Sequence, residues 1–498
     1  MSRQPRCGNS QASPLTDTPN SRIPCYGCGV HLGHRLSENN PEVLPEASSF
    51  ELALRAGALQ RNYEQRIEGT RTRGRDGISA LHLKPEQLDR LVAIAESRIL
   101  DGTYVFSPYK EVLRLKGAAK FPRVISIPTL RDRLILATLA EHLRESIPSI
   151  EFPRPQQLVS NIRGAVKSGL YRDFIRLDIM SFYPSISHQA ISKALERYGI
   201  SADVVQLTLD AAQTPTLPDG HVTAVPARPT KGVPAGTVIA NVLGEIVLHS
   251  FDEAVSALPG IAYFRYVDDI LILSPYGKRG SITELVHSEL RMVGLKAHPK
   301  ESKDKSSTGI LRKQPFEYLG YTFERGKVTV HKSRHSRLIN NLARPITMLR
   351  RAAQESRADI ERIRIRAEWW LNFRITGCIS EETRRGWLPY YSQIDNTSLL
   401  HHLDDVVAKL ISRLPSETKI NPKSFLTAYT FTRDPTRDRV QYIPNFDLIT
   451  DPVDMKNLLE AASDYRSIPS DPAGIERLFR QFISFAIKEL EMDVGGTS

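Results

Sequence analysis

The chain has 498 residues, of which 41% are hydrophobic and 25% charged, and a net charge of +11; this is ordinary globular composition, long enough for two or three domains and a sizeable core. Its four cysteines, Cys7, Cys25, Cys28 and Cys378, form no disulfide framework and suit a reducing compartment. No apolar run reaches membrane-spanning length and no signal-peptide pattern opens the chain, so the expectation is a cytoplasmic protein with no membrane partner. The positive excess is concentrated. Residues 55–133 carry 16 Lys/Arg against 9 Asp/Glu, and residues 291–337 carry 12 against 4, which favours a polyanionic partner because each neutralised phosphate releases counterions.

Residues 1–45 are rich in Ser, Pro, Asn and Gly and read as a flexible tail. Within it, Cys25, Cys28, His31 and His34 make a cluster whose residue types suit tetrahedral Zn2+, although the histidine pair follows more tightly than in a usual finger. A helical pattern runs over about 46–66. A Gly/Arg stretch at 69–77 reads as a flexible basic loop. Residues 85–100 start with proline in the first turn and repeat apolar residues at helical spacing. YKEVLRLK and RVISIP read as strands around the turn-prone Gly117. Residues 129–147 read as a helix that begins at a Thr cap and carries Arg131 and Arg133. A strand follows at 174–179, then helices at 188–198 and 236–258. Residues 262–274 form a hairpin whose apolar strands flank a Val-Asp-Asp tip, and 281–293 are helical. FEYLGYTFERGKVTV gives two short strands. Beyond about 335 the pattern is mainly helical, with the pair Trp369 and Trp370 and helices near 397–414 and 472–491.

The chemistry lies in the middle. Asp268 and Asp269 sit between aliphatic strand segments, where adjacent carboxylates repel and resist burial. A bare Asp-Asp is usually a turn. Here Phe264, Val267, Ile270, Leu271, Ile272 and Leu273 flank it, so the tip rises from a buried sheet, and hard cations would satisfy it. Asp178, at the end of a strand, is either a helix cap or a third carboxylate on the same sheet edge. Three such groups suit two metal ions about 4 Å apart, one activating a hydroxyl and one steadying the leaving pyrophosphate.

In order along the chain, RLDIMSFYPSI, KGVPAGTVIANVLGEIVLHSFD, FRYVDDILILS and FEYLGYTF resemble motifs A, B, C and E of reverse transcriptases, and KFPRVISIPTLRDRLI resembles the fingers segment of group II intron and other bacterial members. The resemblance covers about 110–325. It implies an α/β (α+β) right-hand polymerase with fingers, palm and thumb: fingers and palm over 46–335, a thumb-like helical region over 336–400, and a helical C-terminal region over 401–498. It implies RNA-directed DNA synthesis from dNTPs with two Mg2+ ions. Asp178, Asp268 and Asp269 would be the metal ligands, with the Ile179 carbonyl as a further one. Tyr183 falls at the steric-gate position and Phe182 beside it is a core aromatic. Arg123, with Lys116 or Lys120, would grip the triphosphate. Gly232, Pro234 and Gly236 keep the motif B frame, but Ala235 stands where many relatives have Gln, which removes a side-chain contact. Lys300, or Lys303, would be the lysine that protonates pyrophosphate. Leu319, Gly320 and Tyr321 would form the primer grip.

No HNH-like, RNase H or integrase segment follows, and the Val-Thr-Gly of typical retron thumbs is absent. GVPAGTVIANVLGE looks more like the bacterial "unknown group" and defense-associated enzymes, which implies antiphage defense with a structured non-coding RNA template. The expected partners are that RNA, a DNA primer or product and dNTPs; a homo-oligomer is compatible with the sequence. The competing readings are an untemplated or protein-primed terminal transferase and an RNA-binding scaffold on the same fold.

Overall fold

Glycines and caps set the element boundaries in this computed structural model, which describes residues 48–115, 121–220, 227–299, 302, 305–355, 359–438, 441–465 and 467–494. The tail with Cys25, Cys28, His31 and His34, and likewise Lys116, Lys120, Lys300 and Lys303, lie outside the described residues. The helix expected over 46–66 is divided into Ser49–Arg55 and Ala58–Asn62 by Gly57 at φ +78°, and ends in a π-turn, Tyr63–Ile67. Thr129 caps the helix Leu130–Ser146 by accepting from the Asp132 amide, which satisfies one of the four orphan donors of a helix start. The Gly/Arg stretch after Gly69 is packed rather than free. Gly74 is buried, and a Cβ there would lie 2.6 Å from Thr129 Cα and 2.7 Å from the Pro128 carbonyl; Arg133 donates to Thr70 and Thr72, and Arg75 donates to the Gly220 carbonyl.

The strands among the described residues are, in chain order, β1 (Tyr109–Arg114), β2 (Arg123–Ile127), β3 (Asp173–Asp178), β4 (Thr216–Leu217), β5 (Ala262–Tyr266), β6 (Asp269–Ser274), β7 (Ser307–Ile310), β8 (Phe316–Tyr318), β9 (Tyr321–Glu324), β10 (Lys327–Val330), β11 (Cys378–Ser380) and β12 (Thr383–Arg385). The FEYLGYTFERGKVTV segment therefore gives three strands, not two. The central sheet has the order β5-β6-β3-β7, and all its pairs are antiparallel.

Side chains alternate across this sheet. Ile175, Leu177, Ile270 and Ile272 join a core with the helices Leu130–Ser146 and Val238–Ser256. Phe174, Leu271 and Leu273 join a second core with β8, β9, β10 and the helices beyond residue 332. Because the sheet is covered on both faces, residues 270–273 of β6 read as an unbroken apolar run between Asp269 and Ser274. Asp178 and Asp269 sit on the second face, one residue pair past the apolar part.

The second core continues through the helices Lys332–Ala352, Ile360–Thr376 and Ser398–Ile411 to Phe425 and Tyr429. A third core gathers Phe373, Phe446, Met455 and the last helix, Pro472–Val494. Where that helix meets Lys332–Ala352 and Ile360–Thr376, Arg374 pairs with the fully buried Asp493, which also accepts from Asn341. No helix among the described residues is long and apolar enough to cross a membrane.

Candidate active site

Asp178 on β3 is the direct cross-strand neighbour of Asp269 on β6, so their Cβ atoms share a face about 4.5–5.5 Å apart. Asp268 lies in the two-residue turn Val267–Asp268, which joins the pair Tyr266↔Asp269. Val267 has φ +55°. For a β-branched residue this left-handed state costs about 1–3 kcal/mol and persists only where the surroundings impose it. The surroundings are specific. The Ile179 amide donates to the Asp268 carbonyl at 2.9 Å, Arg265 Nη1 donates to the Val267 carbonyl at 3.0 Å, and the Tyr318 hydroxyl donates to the Asp269 carbonyl at 2.8 Å.

Burial, and then the neighbouring Asp269 and Asp178, push the Asp268 carboxyl up to about 6. Burial also raises Asp269, against the pull of Arg176. Two of the carboxylates are met by cations: Lys305 Nζ lies 2.5 and 3.0 Å from the Asp178 oxygens, and Arg176 Nη2 lies 3.3 Å from Asp269 Oδ1. The His298 ring is 3.6 Å from Asp178. Among the described residues no group of three His, Cys, Asp or Glu side chains is drawn together as a metal cage. The donor set nevertheless fits hard cations: it is three oxygen ligands that resist sharing one site unless positive charge is supplied, and an ammonium already supplies part of it.

Tyr183 sits beside this cluster in the short helix Phe182–Ser185, while Phe182 is buried. Its hydroxyl is raised by burial and then by Asp268 and Glu245, while Arg123 lowers it, so the tyrosine and Arg123 of β2 belong to the same site. Gly244 makes the close approach possible: a Cβ there would lie 2.9 Å from the Phe182 ring and 3.6 Å from that of Tyr183. The loop before the helix Val238–Ser256 is tied to the same segment, with Gly232 N to Ile186 O at 2.7 Å and Val233 N to Tyr183 O at 2.9 Å. Ala235 contributes through its backbone, accepting from Ser126 N at 2.8 Å. Gly236, at φ +95°, leaves room for β2, since a Cβ there would lie 2.5 Å from Ile125 Cγ2.

Leu319 and Gly320 form the β8–β9 turn with φ of +48° and +79°, the double left-handed geometry of a type I′ hairpin. The buried pair Tyr390 and Tyr391 backs it. The Tyr390 hydroxyl donates to the Leu319 carbonyl at 3.1 Å, the Tyr321 hydroxyl donates to the Tyr390 carbonyl, and a Cβ on Gly320 would lie 2.6 Å from Tyr391 Oη. Gly320→Ala is therefore expected to move the turn off its backing. Thermal melting should show a loss of about 1–3 kcal/mol; an unchanged melting temperature would contradict this packing.

The sequence names Asp178, Asp268, Asp269, Arg123, Tyr183, Gly236 and the 319–321 turn as candidates, but not Arg176, Lys305, Arg265 or the Tyr390–Tyr391 pair, which the structure places beside them. Lys305 belongs to the same basic stretch as Lys300 and had a signal there. Arg176, Tyr390 and Tyr391 are single residues whose partners lie far along the chain.

Residues 115–323 match the family model "Reverse transcriptase (RNA-dependent DNA polymerase)". The chain carries a reverse transcriptase domain. That domain spans β2 through β9 and holds every described residue of the site except Tyr390 and Tyr391, and its family fold is the right-hand polymerase, here followed by further helices. Protein YkfC of Escherichia coli (strain K12) is 28% identical over 200 residues, covering 37% of this chain and 50% of YkfC, so the chain spans about half the length of that relative. Two solved structures are similar at low level. Apo telomerase from Candida tropicalis, truncated from the C-terminal domain, has a TM-score of 0.34 and 12% identity over 48% of this chain and 59% of that one. Telomerase from Candida albicans in complex with a TWJ fragment of telomeric RNA has a TM-score of 0.38 and 12% identity over 84% and 69%.

Proposed function

We propose that this protein is an RNA-directed DNA polymerase that extends a DNA primer with dNTPs along an RNA template. The observation that carries the reading is the Asp178–Asp269 cross-strand pair with Asp268 on the strained turn beside it, inside the matched domain. Asp178, Asp268 and Asp269, with the Ile179 carbonyl, would hold two Mg2+ ions; bound there, the ions supply activation of the primer 3′-hydroxyl and neutralise charge on the leaving pyrophosphate.

The protein's own groups do the rest. Arg123 grips the triphosphate, with Lys116 and Lys120 in the same fingers segment. Gly236 and the Ala235 backbone shape the floor on which the nucleotide and template rest. Tyr183 presents its ring where a ribose 2′-hydroxyl would project, which favours dNTPs. Leu319, Gly320 and Tyr321 hold the primer end. Lys300 is the resemblance's candidate for the proton donor to pyrophosphate, and Lys305, on Asp178, is an alternative. We assign 46–335 to fingers and palm, 336–400 to the thumb and 401–498 to a helical C-terminal region. The finer role is cDNA synthesis on a structured non-coding RNA in antiphage defense; the motif B helix sequence and the missing retron Val-Thr-Gly support it.

The test is primer extension by the full chain with Mg2+, comparing dNTPs and rNTPs. The wild type should incorporate dNTPs. Tyr183→Ala should raise rNTP use relative to dNTP by about 10–100-fold, the range that one steric contact supplies. Preference for rNTPs by the wild type would overturn the reading in favour of RNA synthesis.

A further inference from the structure

We infer that Arg265, held by Glu245 and Asp252, is the positioning residue that keeps Val267 in its left-handed conformation and so aims the Asp268 carboxylate; this rests on the polymerase reading of the site. Arg265 sits on β5 two residues before the turn, with its side chain only 7% exposed. Its Nε and Nη2 donate to the two oxygens of Asp252, and Nη2 also to Glu245. The remaining nitrogen, Nη1, donates to the Val267 carbonyl at 3.0 Å. Glu245 and Asp252 lie seven residues apart on the helix Val238–Ser256, which is two turns and therefore one face. Tyr263 donates to Asp252 as well.

This arrangement answers two questions with one group. A buried arginine needs anions, and the helix supplies two. A valine at φ +55° needs something to fix its peptide, and the guanidinium does so in a plane set by those two carboxylates. The planar fork matters because an ammonium is a single point charge and cannot address two carboxylates and a carbonyl in fixed directions. The same helix carries Gly244 against the Tyr183 ring. One rigid element thereby sets both the metal-facing turn and the nucleotide-facing tyrosine.

The test is rescue by a backbone change. Mn2+ binding by the full-length protein, followed by electron spin resonance titration without nucleotide, is combined with amide hydrogen exchange over residues 266–269 and thermal melting. Arg265→Lys should weaken Mn2+ binding about tenfold and speed exchange at the turn. Adding Val267→Gly, which accepts a left-handed φ without strain, should return binding to within about threefold of wild type. Adding Val267→Ala, which removes the same methyl groups but not the strain, should not. If Arg265→Lys does not fold, Glu245→Gln carries the same three predictions. Unchanged binding and exchange in Arg265→Lys, or a loss that Val267→Gly fails to restore, would overturn the inference. Absence of Mn2+ binding by the wild type would instead count against the metal reading, and exchange at the turn would then judge the role of Arg265 alone.

Discussion

Asp268→Asn is expected to cut dNTP incorporation by a factor on the order of 1,000 or more, and at the same time to raise the melting temperature of the metal-free protein. The first effect follows from removing a charged oxygen ligand where the reaction needs divalent cations. The second follows from the resting electrostatics. Burial and the neighbouring carboxylates push the Asp268 carboxyl up to about 6, so above that pH the folded state carries a charge it disfavours. Exchanging the carboxylate for an amide relieves about 1–2 kcal/mol after allowance for partial exposure to solvent, or about 1–2 °C of melting temperature. Adding Mg2+ should shrink the difference, because the wild type gains more from binding it. Melting curves with and without Mg2+, run beside the incorporation assay, check both parts. A variant that is less stable without metal, or that keeps activity, would show that Asp268 is a structural turn residue.

The largest expected effect on stability lies far from the chemistry, at Arg374 and Asp493. Their side chains are 6% and 0% exposed, and they join the last helix to the two helices that follow β10. Removing one partner leaves the other charged and buried, which typically costs about 3–5 kcal/mol. Arg374→Ala and Asp493→Ala should each lower the melting temperature by about 3–5 °C. The double variant Arg374→Met/Asp493→Leu should recover most of that, because replacing a buried pair with apolar side chains of similar volume is often neutral. Single variants that melt within about 1 °C of the wild type would show that the last helix is not held by this pair.

The hairpin around Asp268 was legible because β6, buried on both faces, gives an apolar run with two acids at its head, a conflict that only function resolves. The helices from Pro85 and after Thr129 were legible because their start signals are local. The strand Ser307–Ile310 was not, since STGI has a polar start and a glycine, and it forms only because β3 offers an edge. The hairpin of β11 and β12 was missed for a similar reason. Its six strand residues form a two-stranded sheet, with Ile379 also bridging to Asn445, and sit among helices, where no alternation of useful length can develop. Arg265 was invisible because its partners, Glu245 and Asp252, read as the polar face of an ordinary helix; that this face turns toward β5 is a tertiary fact. Tyr390 and Tyr391 lie outside the matched domain, yet they back the turn at Leu319 and Gly320, so the site is not confined to the motifs that announce it.

The most direct test of the central claim is extension of oligo(dT) on poly(rA) by the full-length protein with Mg2+, offering each dNTP separately. An RNA-directed DNA polymerase incorporates dTTP and essentially none of the other three, and the Asp268→Ala/Asp269→Ala variant incorporates nothing. Equal use of all four dNTPs by the wild type, or dTTP incorporation that survives the double substitution, would contradict it.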